Sequence, residues 1–226
     1  MTKAVIFDIE GTIGDIAFVR NVLFPYAGKH LQAFLKANWD ATEIRGIVQA
    51  AREASGNSLP TIDAAVTQFA AWIDEDRKIT PLKTLQGLIW REGYEAGELK
   101  AHLYQDAVQA MKAYAAAHKR IFIYSSGSVA AQKLYMAYSI AGDLTSMIEG
   151  YFDTTTGPKA EAASYATIAR SIGADPRDII FFSDAPAEVM AAKAANLVPV
   201  CLNRGGAVQV SSLAPDIKVI ADFTEL

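Results

Sequence analysis

The stretch AVIFDIEGT, residues 4–12, sets four apolar residues directly before two acids, Asp8 and Glu10, with Gly11 and Thr12 behind them. A run this short and continuous fits a strand buried on both faces, as in a parallel sheet. Carboxylates delivered to the end of such a strand are costly unless a cation or hydrogen-bond donors compensate them. The strand end therefore calls for a charged partner.

Working outward, four more runs have the same character: RIFIYS (120–125), DIIFFS (178–183), LVPVCL (197–202) and IKVIA (217–221). Between them lie alanine-rich segments with helical spacing: AVQAMKAYAAAHK (107–119), VAAQKLYMAY (129–138), AEAASYATIARSIG (160–173) and PAEVMAAKAANL (186–197). Gly173 reads as a helix C-cap, with Asp175-Pro176 as the stop. Strands alternating with helices imply an α/β fold with a doubly wound, mostly parallel sheet, and such sheets bind ligands at the carboxyl ends of their strands. Asp8, Ser125 and Asp184 all fall at such ends.

The first strand ends near Asp8 and the next near Ser125, about 117 residues on, whereas a strand-helix-strand unit takes about 30. The excess reads as helices, ATEIRGIVQAAREAS (41–55), DAAVTQFAAWIDED (63–76) and PLKTLQGLIWREGYEAGEL (81–99). The expected organisation is a catalytic core of residues 1–17 and 105–226 with an inserted helical cap of residues 18–104. An insertion after the first active-site strand is well placed to act as a lid that excludes water.

The chain has 226 residues, 51% hydrophobic and 20% charged, enough for a packed core, and no repeat or low-complexity tract. Its formal net charge of -4 carries no basic footprint for nucleic acid or an anionic membrane, so an anionic ligand must be held locally. One cysteine, Cys201, excludes an internal disulfide framework and a multi-cysteine metal site, and reads as a small buried hydrophobe in a reducing, cytoplasmic setting. No apolar run approaches a membrane span or signal-peptide core. His30, His102 and His118 show no metal-ligand spacing, and Trp39 and Trp72 read as packing residues.

Four features converge on the carboxyl edge: Asp8 and Glu10, then Ser125 and Ser126 in YSSGS, then Lys159 in TTGPKAEA, then Asp184 in FFSDAPAE. Phosphate-ester chemistry needs a nucleophile, a cation, hydrogen-bond donors and an acid for the leaving oxygen, and these residues supply all four. Asp8 is a candidate nucleophile, and Asp8 with Asp184 offers the hard oxygen ligands that Mg²⁺ prefers. Taken singly each is ordinary: SD after a strand is a common helix N-cap, the serines are common in turns, and Lys159 reads as a residue at a helix start. A lysine there opposes the helix dipole, which favours an anionic ligand over helix stability as its reason. Glu188, one turn beyond Asp184, is a candidate outer acid that orients a metal-bound water, or simply a helix-surface acid.

In order and setting, Asp8-x-Glu10-Gly-Thr12, strand-terminal Ser125, Lys159 and Ser183-Asp184 resemble the four motifs of the haloacid dehalogenase superfamily. Glu in place of Asp two residues after the nucleophile is unusual there. The strings DIEGT, FVRNVLFPYA, PLKTLQGLIWREGYEAGELKAHLY, YSSGSVAAQKL, GYFDTTTGPKAEAASY and FFSDAPAE resemble its bifunctional enolase-phosphatases of methionine salvage, with Ile13 departing from a polar residue common in relatives. That resemblance implies a Rossmann-like core and enolisation then dephosphorylation of 2,3-diketo-5-methylthiopentyl 1-phosphate to the acireductone 1,2-dihydroxy-3-keto-5-methylthiopentene. It implies one Mg²⁺ per chain, held by Asp8, by Glu10 through its carbonyl, and by Asp184. Asp8 and Glu10 are then catalytic, Ser125, Ser126 and Lys159 bind substrate, and the enzyme is a monomer. Leu85, Trp90 and Tyr94 suit a methylthio tail by type, although a stripe at this spacing more often forms cap core.

Two rival readings remain. A general sugar- or nucleotide-phosphate phosphatase of the same superfamily shares the motifs, whereas Glu10 and Thr12 suit a dehalogenase poorly. A silent binding protein on this fold has little reason to keep Asp8, Glu10, Lys159 and Asp184 together.

Overall fold

The computed structural model describes residues 2–206 and 208–226. They divide into two compact units, Met1–Ile16 with Lys100–Leu226, and Ala17–Leu99. Residues 100–104 belong with the first unit through main-chain hydrogen bonds: Ala101 N–H to the Tyr138 carbonyl and Tyr104 N–H to the Ile13 carbonyl, each 2.9 Å.

The first unit is a six-stranded parallel sheet of β1 (Ala4–Phe7), β2 (Arg120–Tyr124), β3 (Gly150–Phe152), β4 (Ile179–Ser183), β5 (Val198–Leu202) and β6 (Lys218–Ile220), ordered β3-β2-β1-β4-β5-β6. The order reverses at β1, which pairs Phe7 with Ile123 on one side and with Phe182 on the other. A doubly wound sheet opens its ligand crevice at the carboxyl ends of the strands flanking that reversal, where Asp8 and Asp184 follow β1 and β4. The sheet alternates as strands covered on both sides must. Ala4, Ile6, Phe122, Tyr124, Ile179 and Phe181 pack with Tyr165, Ile168, Ala169 and Ile172 of α8 (Ala162–Ile172) and with Ala191 and Ala192 of α9 (Pro186–Ala194). Phe7 and Phe182 stack at 5.2 Å and turn to Tyr114 of α6 (Gln105–Ala116) and to Phe223. Gly173 caps α8 with φ 70°. The strand β3 escaped the sequence reading because three half-buried residues, one of them glycine, carry no periodic signal.

The second unit is helical. A short α1 (Ile16–Phe18) leads through a π-helical stretch, Val19–Leu23, into α2 (Phe24–Asn38), α3 (Thr42–Ser55), α4 (Ile62–Asp74) and α5 (Thr80–Glu95). Leu31, Leu35, Ile44, Phe69 and Leu85 are central to one apolar core. Thr61 caps α4, its hydroxyl accepting the Ala64 N–H at 3.2 Å, and Pro81 sits in the first turn of α5, where its missing N–H has no helical partner to lose. Leu85 is buried in this core and Trp90 packs against it, its indole donating to the Leu23 carbonyl at 2.8 Å, while Tyr94 is also buried. No helix among the described residues is long and apolar enough to cross a membrane.

Candidate active site

Asp8 follows the central strand directly, its N–H donating to the Phe182 carbonyl at 3.0 Å, and is only 4% exposed. The Lys159 ammonium reaches its Oδ1 at 2.6 Å and Glu188 Oε2 at 2.8 Å, with the lysine side chain 10% exposed. Burial pulls the lysine toward its neutral form, but the charges of Asp8 and Glu188 outweigh that and hold its pKa above the ordinary value. Glu188 is pushed up to about 7, by burial first and then by Asp8, against the pull of Lys159 and Ser183. The Ser183 hydroxyl donates to Glu188 at 2.9 Å. Glu188 therefore bears on the lysine directly, a role its spacing from Asp184 did not convey.

Lys159 stands outside the helix that the sequence suggested. It lies in a turn three residues before α8, so the helix dipole does not explain it. Three side chains hold that turn instead: Tyr124 OH donates to the Gly157 carbonyl at 2.9 Å, Ser164 to Pro158 at 2.7 Å and Tyr165 to Lys159 itself at 2.7 Å. With the backbone tied three times, the ammonium is aimed before any ligand arrives.

Asp184 enters from β4. Its N–H donates to the Thr12 hydroxyl at 3.0 Å, and its carboxylate packs so closely on Gly11 that a Cβ there would lie 2.0 Å from Oδ2. Gly11 also has φ 75°, which a side chain resists, so this position is doubly reserved for glycine. Burial, then the charge of Asp8, raises Asp184 to about 6. Glu10 is half-buried in the same turn, its backbone bridged to Gly14.

Ser125 and Ser126 follow β2. Ser125 is buried, its N–H on the Phe152 carbonyl at 3.2 Å, whereas Ser126 is exposed. Sequence reasoning missed what shapes their loop. Gln132 of α7 (Val129–Ala137) donates to the Gly127 and Phe152 carbonyls at 2.7 and 2.8 Å, and Asp153 accepts the Val129 N–H at 3.0 Å. The repeated turn chemistry in SSGS and DTTT was the available signal.

Two acids, Asp8 and Glu188, thus pair with one lysine, and Asp184 lies close enough to feel the charges of Asp8 and Lys159. Burial first, and the charge of Asp8 second, disfavour the ionised form of Asp184, the form a cation would favour. Among the described residues no three His, Cys, Asp or Glu side chains stand together as a ligand set. Asp8 and Asp184 bring carboxylates, hard oxygen donors, to the ends of neighbouring strands, and this chemistry fits a magnesium ion.

Sheet order and strand-end acids define a class, the doubly wound hydrolases with a strand-terminal aspartate. A family model for haloacid dehalogenase-like hydrolases matches residues 2–196. An enolase-phosphatase E1 from Aquifex aeolicus is 47% identical over 226 residues, covering 100% of this chain and 99% of its own. One from Alcanivorax borkumensis is 48% identical over 204 residues, 90% of each. Among solved structures, the UTR4 protein of Saccharomyces cerevisiae superposes with a TM-score of 0.83 at 34% identity, covering 100% of both chains. The chain belongs to the haloacid dehalogenase-like hydrolases and, within them, to the enolase-phosphatase E1 family.

Proposed function

We infer that the chain is an enolase-phosphatase that enolises 2,3-diketo-5-methylthiopentyl 1-phosphate and then removes its phosphate, leaving the acireductone 1,2-dihydroxy-3-keto-5-methylthiopentene. The observation that carries this is the buried Asp8 at the central strand end with Lys159 at 2.6 Å. The near-half identity to enolase-phosphatases over the whole chain supports the choice of substrate. We assign one Mg²⁺ per chain, held by Asp8, Asp184 and the Glu10 carbonyl, in a cytoplasmic monomer.

When bound, the metal neutralises phosphate charge and the repulsion between Asp8 and Asp184. The remaining chemistry belongs to the chain. Glu10 takes the carbon-bound proton in enolisation, while solvent protonates the enolate oxygen, and then delivers that proton to the ester oxygen. Asp8 attacks phosphorus, the enol oxygen leaves with that proton, and an aspartyl-phosphate forms on Asp8. Water, deprotonated by Glu10, then attacks the phosphorus, and the bond to Asp8 breaks to give inorganic phosphate and free carboxylate. Lys159 offsets charge on Asp8 and on the phosphate, Glu188 keeps that lysine charged and placed, and Ser125 and Ser126 supply hydroxyls to the substrate.

The test mixes purified protein, the diketo phosphate and Mg²⁺, and follows enol absorbance and phosphate release with EDTA and Asp8→Asn as controls. Both signals should appear and phosphate release should vanish in the controls. Phosphate release unaffected by Asp8→Asn defeats the mechanism, and faster hydrolysis of sugar phosphates replaces it with a general phosphatase.

A further inference from the structure

The turn that carries Glu10 and Thr12 is gripped from one side by an arginine that no site motif contains. Arg204 Nε donates to the Thr12 carbonyl at 2.8 Å. The rest of its guanidinium forks onto Asp106, at 2.6 Å to Oδ2 and 3.3 Å to Oδ1. Asp106 also accepts the Phe223 N–H at 2.9 Å. The guanidinium carbon lies 4.0 Å from the centre of the Tyr104 ring and 5.5 Å from that of Phe223. Both charged side chains are largely buried, 16% and 17% exposed, so the pair is fixed rather than a mobile surface contact. Beyond Thr12 the chain of contacts continues, because the Thr12 hydroxyl takes the Asp184 N–H.

We propose that Arg204, locked by Asp106, is a positioning residue that acts through Thr12 to hold the Glu10 carbonyl and Asp184 where a divalent cation is bound. This rests on the metal assignment made above. The geometry requires arginine: one planar group must fork to a carboxylate and still turn an N–H on a carbonyl, which the point charge of lysine does not reproduce. It also explains why Thr12 is fully buried although its hydroxyl touches the site. One residue accepts the clamp on its carbonyl and passes it to Asp184 through its hydroxyl.

The test uses Mn²⁺ as the probe, titrated into substrate-free protein and read from the spin-resonance signal of free Mn²⁺. Arg204→Ala should weaken Mn²⁺ binding about tenfold or more, the usual effect of losing an outer partner of a metal site. Added guanidinium should restore most of that loss in Arg204→Ala and leave the original chain unchanged. Arg204→Lys should fall between the two, and Asp106→Asn should weaken binding about threefold, since about 0.65 kcal/mol of orientation is lost by that conversion. A merely structural role would lower thermal stability but leave the Mn²⁺ affinity of the folded chain, and its response to guanidinium, unmoved. Affinity within twofold of the original in Arg204→Ala overturns the proposal, as does failure of the original chain to bind Mn²⁺. If Arg204→Ala does not fold, Asp106→Asn decides in the same way. Absence of phosphate release with Mn²⁺ binding and its Arg204 dependence intact would remove the functional reading and leave this one standing.

Discussion

The two units bury different kinds of residue. Of the nine buried polar or charged side chains among the described residues, eight lie in the sheet-bearing unit and only Gln86 in the helical one. The helical unit is held by an apolar core, with Thr61 capping one of its helices. In the sheet-bearing unit, Asp8, Thr12, Ser125 and Ser183 sit where apolar residues would stabilise more, each kept tolerable by a specific partner. Buried polarity thus gathers in the unit that carries the site, and substitutions should divide the same way.

The largest effect expected is functional and sits at Asp8. Asp8→Asn should lower phosphate release by ~10³-fold or more, while its melting temperature stays level or rises because a buried like charge beside Asp184 and Glu188 is gone. A melting temperature several degrees lower would show that Asp8 also holds the fold. Phe69→Ala reverses the pattern: emptying a fully buried ring from the helical core should lower the unfolding free energy by about 3–5 kcal/mol in urea titration. A loss below about 1 kcal/mol would deny that this core is tightly packed.

Next in size is a pH effect in the sheet-bearing unit. With pKa values raised to about 6 and about 7, folded Asp184 and Glu188 keep protons that the unfolded chain has lost. The unfolded state then binds fewer protons, so stability falls as pH rises from about 4 through about 7. In EDTA, stability measured across that window should fall steadily, and Asp184→Asn should flatten part of the slope. Mg²⁺ should raise the melting temperature more at pH 7.5 than at pH 5.5, because it competes with those protons. An increment independent of pH would break the link between these acids and the metal. The smallest effect belongs to the helical unit, where Thr61→Ala should remove the α4 cap at a loss of about 1 kcal/mol with turnover per folded molecule unchanged.

The same contrast governs what could be read from residues alone. Elements that bury apolar surface announce themselves by period, and five of the six strands and the helices α3 to α9 were legible to within a few residues, whereas α2 was not singled out. Asp8, Glu10 and Asp184 were legible because an acid after a buried strand is costly and therefore informative. Lys159 was legible as a cation but not in its setting, since the turn is fixed by Tyr124, Ser164 and Tyr165, whose hydroxyls look like core or helix residues in a linear reading. Arg204 and Asp106 left no trace, because a pair 98 positions apart is created only by the sheet order. Spacing conveys local geometry; contacts made by topology need the fold.

The stitching around the insertion has a consequence of another kind. The sheet-bearing unit ties its own two chain ends together where the helices leave and return: Tyr104 N–H on the Ile13 carbonyl at 2.9 Å, and Asp15 N–H on His102 Nδ1 at 3.1 Å, with the His102 carbonyl taken by Tyr135. Confining the ends of a loop loses chain entropy that grows only as the logarithm of loop length. With those ends fastened by the sheet's own contacts, the entropy lost on closure is nearly indifferent to what is strung between them. The junction is a socket, and whatever occupies it is free to change in length and sequence while the strands that carry Asp8 and Asp184 keep their register.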